Sequence, residues 1–76
     1  MPPMPVQVKI ITVCINGSKQ DIPAGSTLEY LISQFRLQKK SIVVECNHQV
    51  ADKTTYASTE LKEDDQIEIV HFVGGG

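Results

Sequence analysis

The chain has 76 residues, of which 41% are hydrophobic and 21% are charged, and its net charge is −2. A chain this short forms one small domain and buries only about 60% of its unfolded surface, which excludes a deep pocket. The slight acidity disfavours nucleic-acid binding, and no apolar stretch approaches the roughly 20 residues that cross a membrane. Two cysteines are too few for a disulfide scaffold. We therefore expect a cytoplasmic protein that binds neither nucleic acid nor membrane.

The first predicted element is a β-hairpin. Ile11, Val13 and Ile15 alternate with less apolar residues, which indicates a strand with one buried face. Asn16-Gly17 then supplies the positive φ angles that a two-residue hairpin turn requires. The return strand ends before a Pro-Ala-Gly sequence that is typical of a loop.

Residues 1–10 are interpreted as an N-terminal extension. Their apolar residues alternate in the opposite phase to the first strand, which predicts either a bulge or a separate segment. Three prolines among the first five residues keep that end out of a strand ladder. The predicted domain then covers residues 11–73, and a glycine tail covers residues 74–76.

One amphipathic helix is predicted next. Ser26 is expected to cap it, with Glu29 three residues later completing a capping box. The apolar positions of the helix recur three or four residues apart and form one stripe: Leu28, Leu31, Ile32 and Phe35. Because so short a helix is marginal alone in water, that stripe must pack on a sheet.

Strands are predicted over residues 42–46 and 49–51, joined by a turn at Asn47-His48. An irregular segment follows, which Tyr56 anchors to the core, and residues 67–73 form the last strand. A run of strands around a single helix indicates the α+β class.

Catalytic and metal-binding constellations are not expected. His48 and His71 lack partners at metal-ligand spacing. Cys14 and Cys46 lie on predicted strands, without the basic neighbour or helix N-terminus that would activate a thiol. We therefore expect the cysteines to contribute packing alone.

Two candidate docking features lie near the C-terminus. Glu63, Asp64 and Asp65 form a charge run, which is either a solvated turn or an electrostatic docking face for a basic partner. Val70 and Phe72 are predicted to point outward from the last strand and to form an apolar docking patch.

The chain ends in three glycines, Gly74, Gly75 and Gly76. Stretched out, they reach about 10 Å and could enter a channel too narrow for side chains. The terminal carboxylate, ionised near neutrality, resists nucleophilic attack until another protein activates it, for instance by adenylation. The alternative is a frayed terminus without a function.

Several segments together resemble the ubiquitin-like β-grasp family and, more narrowly, the ThiS family of thiamine-pathway sulfur carriers. The resemblance spans about residues 11–76, and its most specific segment is Asp65–Gly76. The other segments are Ile15–Gly17, Pro23–Leu28 and Ile42–Asn47. This resemblance implies a mixed sheet of four to five strands packed on one helix, followed by a flexible Gly-Gly-Gly tail.

The resemblance also implies a protein substrate rather than an enzyme, with no cofactor bound by the chain itself. A ThiF-like adenylating partner would use ATP and magnesium to convert the carboxylate of Gly76 to an acyl-adenylate. Sulfur from a cysteine desulfurase persulfide would replace AMP and leave a thiocarboxylate. A ThiG-like thiazole synthase would take that sulfur for the thiazole ring of thiamine. Gly75 and Gly74 would lie behind the reacting residue in the partner's channel.

Three other functions stay open. The small subunit of molybdopterin synthase is also a sulfur carrier that ends in Gly-Gly. A ubiquitin-like modifier would join its terminal glycine to lysines of target proteins. An interaction domain with an inert tail would keep its function without Gly75 and Gly76.

Overall fold

The computed structural model describes residues 9–72, which form one five-stranded sheet and one α-helix. The helix, α1, covers Leu28–Gln34. The strands are β1 (Ile10–Ile15), β2 (Ser18–Pro23), β3 (Ile42–Cys46), β4 (Gln49–Val50) and β5 (Gln66–His71). Their order is β2-β1-β5-β3-β4, with β1 parallel to β5 and the other pairs antiparallel. The predicted α+β class and mixed sheet are confirmed.

The β1–β2 hairpin forms as the sequence predicts. Asn16 and Gly17 have φ angles of 50° and 82°, and the register runs without interruption from Ile15 opposite Ser18 to Ile10 opposite Pro23. Ile10 is therefore paired in β1, and no bulge separates it from the next residue. Residues 1–8 lie outside the described range, so their interpretation as an extension stays a prediction.

The predicted start of the helix is wrong by one residue. Thr27 is the N-cap, and its hydroxyl accepts a hydrogen bond of 3.1 Å from the backbone N–H of Tyr30. Ser26 is buried, and its hydroxyl donates to the carbonyl of Pro23 at 2.5 Å. Because that hydroxyl is engaged in closing the loop before the helix, it caps nothing, and the predicted capping box does not form.

The predicted apolar stripe of α1 ends before Phe35. Leu28, Leu31 and Ile32 are at most 2% exposed, whereas Phe35 is 44% exposed. Phe35 is the C-cap, with φ −88° and ψ 1°, and the chain leaves helical geometry there. Its ring therefore lies at the margin of the core rather than within it.

The second half of the sheet is built around a second tight turn. Asn47 and His48 have φ angles of 52° and 69° and join β3 to β4. The segment predicted to be irregular contains a 3₁₀ helix over Lys53–Ser58. Tyr56 within it is completely buried, so the predicted anchor is confirmed.

The core lies between α1 and one face of the sheet. Alternate residues of the strands point toward the helix, as the period of two requires. The buried hydrophobic residues are Ile11, Val13, Ile15, Ile22, Leu28, Leu31, Ile32, Ile42, Val44, Tyr56, Leu61 and Ile67. The opposite face of the sheet is open, and this face carries the outward side chains of β5.

Candidate functional site

The last strand, β5, lies in the middle of the sheet. It pairs with β1 on one side and with β3 on the other, where His71 is opposite Ile42. The backbone N–H of Phe72 donates to the carbonyl of Ser41 at 2.8 Å. The chain is therefore hydrogen-bonded up to the residue before Val73. Residues 73–76, with the predicted reacting residue and the two glycines behind it, lie outside the described range.

The side chain of Asn16 adds hydrogen bonds between the end of β1 and the C-terminal part of β5. Its amide oxygen accepts from the backbone N–H of Ile69 at 2.8 Å, and its amide nitrogen donates to the carbonyl of Ile69 at 3.3 Å. Its own N–H donates to the carbonyl of Ile67 at 2.9 Å. The side chain thus continues the parallel ladder one step beyond the end of β1.

Sequence reasoning assigned Asn16 only to a turn. Asparagine and aspartate both tolerate a left-handed backbone, so the turn sequence alone did not show that the side-chain amide of Asn16 has a role of its own. The sequence contained a second indication, because Asn47 is the first turn residue of the β3–β4 hairpin, as Asn16 is of the β1–β2 hairpin. Its amide oxygen accepts from the N–H of Gln66 at 3.0 Å, and its amide nitrogen donates to Asp65 at 3.0 Å. Both turn asparagines bond the backbone of β5.

The predicted apolar patch is exposed. Val70 and Phe72 are 53% and 46% exposed and lie on the face of the sheet away from α1. Val70 is directly opposite Val43, which is half-buried. These three side chains form the outer-face patch, beside the point where the chain leaves the sheet. The exposure agrees with the prediction, and the docking role stays a prediction.

The acidic turn lies at the other end of β5. From Asp65 to Val70 the strand advances about 17 Å at 3.3–3.4 Å per residue. Glu63 accepts from the backbone N–H of Thr12 at 3.1 Å, and Asp65 accepts from the backbone N–H of Lys62 at 2.8 Å. The structure does not bring the turn and the outer-face patch together.

Two of the three acidic side chains in this turn stabilise the turn and its contact with β1. The carboxylates of Glu63 and Asp65 accept hydrogen bonds from backbone N–H groups. Asp64 adopts a left-handed φ of 69°, and its own N–H donates to the carbonyl of Thr12 at 2.8 Å. These contacts account for the carboxylates at 63 and 65 without any partner. Of the run, Asp64 is the residue best placed to meet a basic surface.

The cysteines and histidines do not form a reactive cluster. Burial raises the pKa of the Cys46 thiol above its usual value, and the nearby Asp65 carboxylate raises it further. A thiol of this kind stays protonated and is a poor nucleophile. Within residues 9–72, His, Cys, Asp and Glu side chains make no group of three or more that could hold a metal ion. Across the same range, no helix combines the length and apolar character that a bilayer span needs.

Comparisons with known proteins agree with the geometry. A model of the ThiS family matches residues 8–76. A thiazole synthase from Magnetococcus marinus is 44% identical over 62 residues, which are 82% of this chain and 19% of that protein. The sulfur carrier protein ThiS of Bacillus subtilis is 44% identical over 50 residues, which are 66% of this chain and 76% of that protein. The chain spans about a fifth of the length of the thiazole synthases that it matches.

The fold is also shared with a solved structure. The crystal structure of the thiamine biosynthesis protein ThiS from Geobacter metallireducens superposes with a TM-score of 0.74 at 25% identity. The match covers 87% of this chain and all of the other. The predicted ubiquitin-like β-grasp architecture is thereby confirmed.

Proposed function

The chain belongs to the ThiS family, and from this premise we propose that it is a sulfur carrier for the thiazole ring of thiamine. The observation that carries the proposal is the extent of the family match, which runs through the terminal glycines to residue 76. The relative from Bacillus subtilis bears the name of a sulfur carrier protein. The matches to thiazole synthases favour the thiamine pathway over molybdopterin synthase.

The reacting group in this proposal is the carboxylate of Gly76. It attacks the α-phosphorus of ATP on a ThiF-like enzyme and releases pyrophosphate, which gives an acyl-adenylate. The outer sulfur of a cysteine desulfurase persulfide displaces AMP, and a thiol then reduces the acyl disulfide to the thiocarboxylate. ATP and magnesium belong to the partner, and the chain acts as a protein substrate in the cytoplasm rather than as a catalyst.

The described geometry supports a presenting role for the sheet. β5 is held on both sides, and its last hydrogen bond in the described range is made by Phe72. Gly74 and Gly75, behind the reacting residue, have no side chain that would widen the path into a partner's channel. The rigid sheet would fix where this tail begins, which reduces the conformational entropy lost when the tail enters the partner's active site.

Intact mass measures the proposed reaction directly. The chain is incubated with a ThiF-like enzyme, ATP, magnesium, a cysteine desulfurase and cysteine. We expect the mass gain of one oxygen replaced by sulfur. The control variant lacks Gly75 and Gly76 and should gain nothing, while keeping its fold, because every described hydrogen bond ends at or before Phe72. No gain in the full chain, with the enzymes active on the Bacillus subtilis carrier, would contradict the proposal.

We further propose that the outer-face patch docks on the ThiG-like thiazole synthase and the ThiF-like enzyme. Apolar side chains exposed together mark interaction sites on small proteins. Replacing both Val70 and Phe72 with serine should weaken binding to these partners without unfolding the chain, since both residues are about half exposed. Ile10→Ser is the matched control, because Ile10 is 52% exposed on the same face, roughly 26 Å away along the strands. Equal affinity of the double variant and the control would refute the assignment.

The acidic turn gives a separate test of electrostatic docking. Asp64→Asn removes one charge while the turn keeps the hydrogen bonds made by Glu63 and Asp65. If the turn meets a basic partner, the association rate should fall and should become less sensitive to salt. An unchanged rate at low salt would leave the carboxylates with a purely structural role.

A further inference from the structure

One edge of the sheet is the strand β2. Within residues 9–72 its only neighbour in the sheet is β1, and residues 18–21 are exposed. An edge strand presents backbone N–H and C=O groups that can pair with another strand. The opposite edge is β4, which has only the two residues Gln49–Val50. Of the two edges of the described sheet, β2 therefore offers the longer one.

The hydrogen bonds of β1 show which residues of β2 face this free edge. The N–H of Cys14 donates at 2.9 Å to the carbonyl of the residue before β5, on the far side of β1. Because consecutive residues of a strand bond opposite sides, Val13 bonds the residue opposite it in β2, which is Gln20. The residues on either side of Gln20 then direct their N–H and C=O groups away from β1. These residues are Lys19 and Asp21.

The side chains of Lys19 and Asp21 share the outer face of the sheet. Ile22, the next residue, is buried on the face that carries α1, and successive side chains alternate between the faces. One carboxylate oxygen of Asp21 accepts from the hydroxyl of Thr12 at 2.7 Å. The ion pairs found among residues 9–72 involve other side chains. The free edge thus carries one positive and one negative side chain, two residues apart on one face.

This charge pattern selects one register for pairing with a second copy. In an antiparallel pair, residues that face each other across the edge exchange both backbone hydrogen bonds. Pro23 also faces the edge but has no N–H, so the pairing depends on Lys19 and Asp21. Registers that place Lys19 opposite Lys19, or Asp21 opposite Asp21, bring like charges together and are destabilised. The remaining register places each Lys19 opposite Asp21 of the second copy.

The selected register is compatible with a lysine on the edge. Lysine on an edge strand opposes the addition of other strands, because its charge must be desolvated or repelled. In this register each lysine instead meets a carboxylate directly across the strands, at a distance where opposite charges stabilise the pair. The two-fold symmetry produces this contact twice. The edge therefore disfavours most strands and favours its own copy.

Gln20 lies on the two-fold axis of this arrangement. Its side chain is on the face that carries α1, because it alternates with those of Lys19 and Asp21. Directly opposite residues that exchange no backbone hydrogen bonds have Cα atoms about 4.5 Å apart, so the two Gln20 side chains meet. A side-chain amide both donates and accepts, so two of them can bond each other. Tyr30, which is 39% exposed, borders the same hollow as Gln20 and adjoins this seam in each copy.

We propose that two copies of this chain pair through β2, antiparallel and two-fold symmetric, with Lys19 of each opposite Asp21 of the other. The sheets of both copies then form one continuous sheet, with both helices on the same face. The contact is smaller than the roughly 800 Å² per partner of a standard interface, so the dimer is weak and sensitive to salt. The outer-face patch on β5 lies two strands away, and the inference does not depend on the proposed function.

Charge reversal tests the register. Lys19→Asp and Asp21→Lys each place like charges opposite each other twice in the dimer, so each should weaken self-association at least about tenfold. An equimolar mixture of the two variants restores both opposite-charge contacts and should associate as well as the unaltered chain. Lys53→Asp is the matched control, because it makes the same charge change at an exposed residue beyond β4, near the other edge. Sedimentation equilibrium measures the association.

Amide hydrogen exchange locates the contact. At concentrations that populate the dimer, the amides of Lys19 and Asp21 should exchange more slowly than in dilute solution. The amide of Gln20, which bonds β1 in both states, should not change. A chain that stays monomeric up to about 1 mM overturns the proposal. A mixture of the two variants that does not associate overturns it too, as does a Lys53→Asp variant weakened as much as Lys19→Asp.

Discussion

Asn16 tests how the end of β5 is held, and the substitution Asn16→Gly isolates its side chain. Glycine adopts the φ of 50° at this position without strain, so the turn survives. The substitution removes two hydrogen bonds to Ile69, of 2.8 and 3.3 Å. At about 0.5–1.5 kcal/mol each, their loss should lower the free energy of unfolding by about 1–3 kcal/mol.

In a domain of this size each kcal/mol corresponds to about 4–8 °C, so the melting temperature should fall by at least about 4 °C. Chemical denaturation gives the free energy, and hydrogen exchange at the amide of Ile69 gives the local effect. His48→Gly is the matched control, because His48 has a φ of 69° in the other turn and an exposed side chain. Unchanged stability and unchanged exchange at Ile69 in Asn16→Gly would refute this account of the ladder.

Two further predictions concern the 3₁₀ helix over residues 53–58. Tyr56 is completely buried, and its hydroxyl has no hydrogen-bond partner among the described residues. Tyr56→Phe should therefore leave the free energy of unfolding unchanged or raise it, whereas Tyr56→Ala should lower it by about 3–5 kcal/mol. A loss above about 1 kcal/mol for Tyr56→Phe, in denaturant unfolding, would show that the hydroxyl is bonded. Hydrogen bonds from the hydroxyl and the N–H of Thr54 lower the pKa of Asp52 in the folded chain. The stability that the Asp52 carboxylate contributes is therefore present above its unfolded pKa and is lost as the pH falls through its folded pKa. Acid titration should show a weaker loss of stability in Asp52→Asn, and an identical profile would contradict this reading.

The sequence predicted those parts of the fold in which local chemistry and burial agree. The Asn16-Gly17 turn and the alternation through Val13 and Ile15 specify one hairpin register, because a shift by one residue would expose the buried face. Given the predicted order of strands and helix, the apolar stripe of α1 could be buried in few ways other than against one face of the sheet. The parallel pairing of β1 with β5 was not readable locally, since it joins residues about fifty positions apart.

The errors arose where a tertiary contact competed with a local rule. Ser26 has the residue type of a cap, but its hydroxyl bonds the carbonyl of Pro23, and Thr27 takes over the cap. Phe35 has the spacing of a core residue, but the helix ends there, and its ring is left at the margin. The role of Asn16 required knowing which strand lies beside the turn. None of these follows from propensity or period alone.

The central position of β5 has a consequence for synthesis. Of the five described strands, the ribosome makes β5 last, yet β5 is the strand that joins the β1–β2 hairpin to the β3–β4 hairpin. Until it emerges, the nascent chain holds two hairpins whose inner edges are unpaired, and unpaired edges invite association with other chains. A chain cut short before β5 would thus be an aggregation-prone product rather than a smaller folded domain.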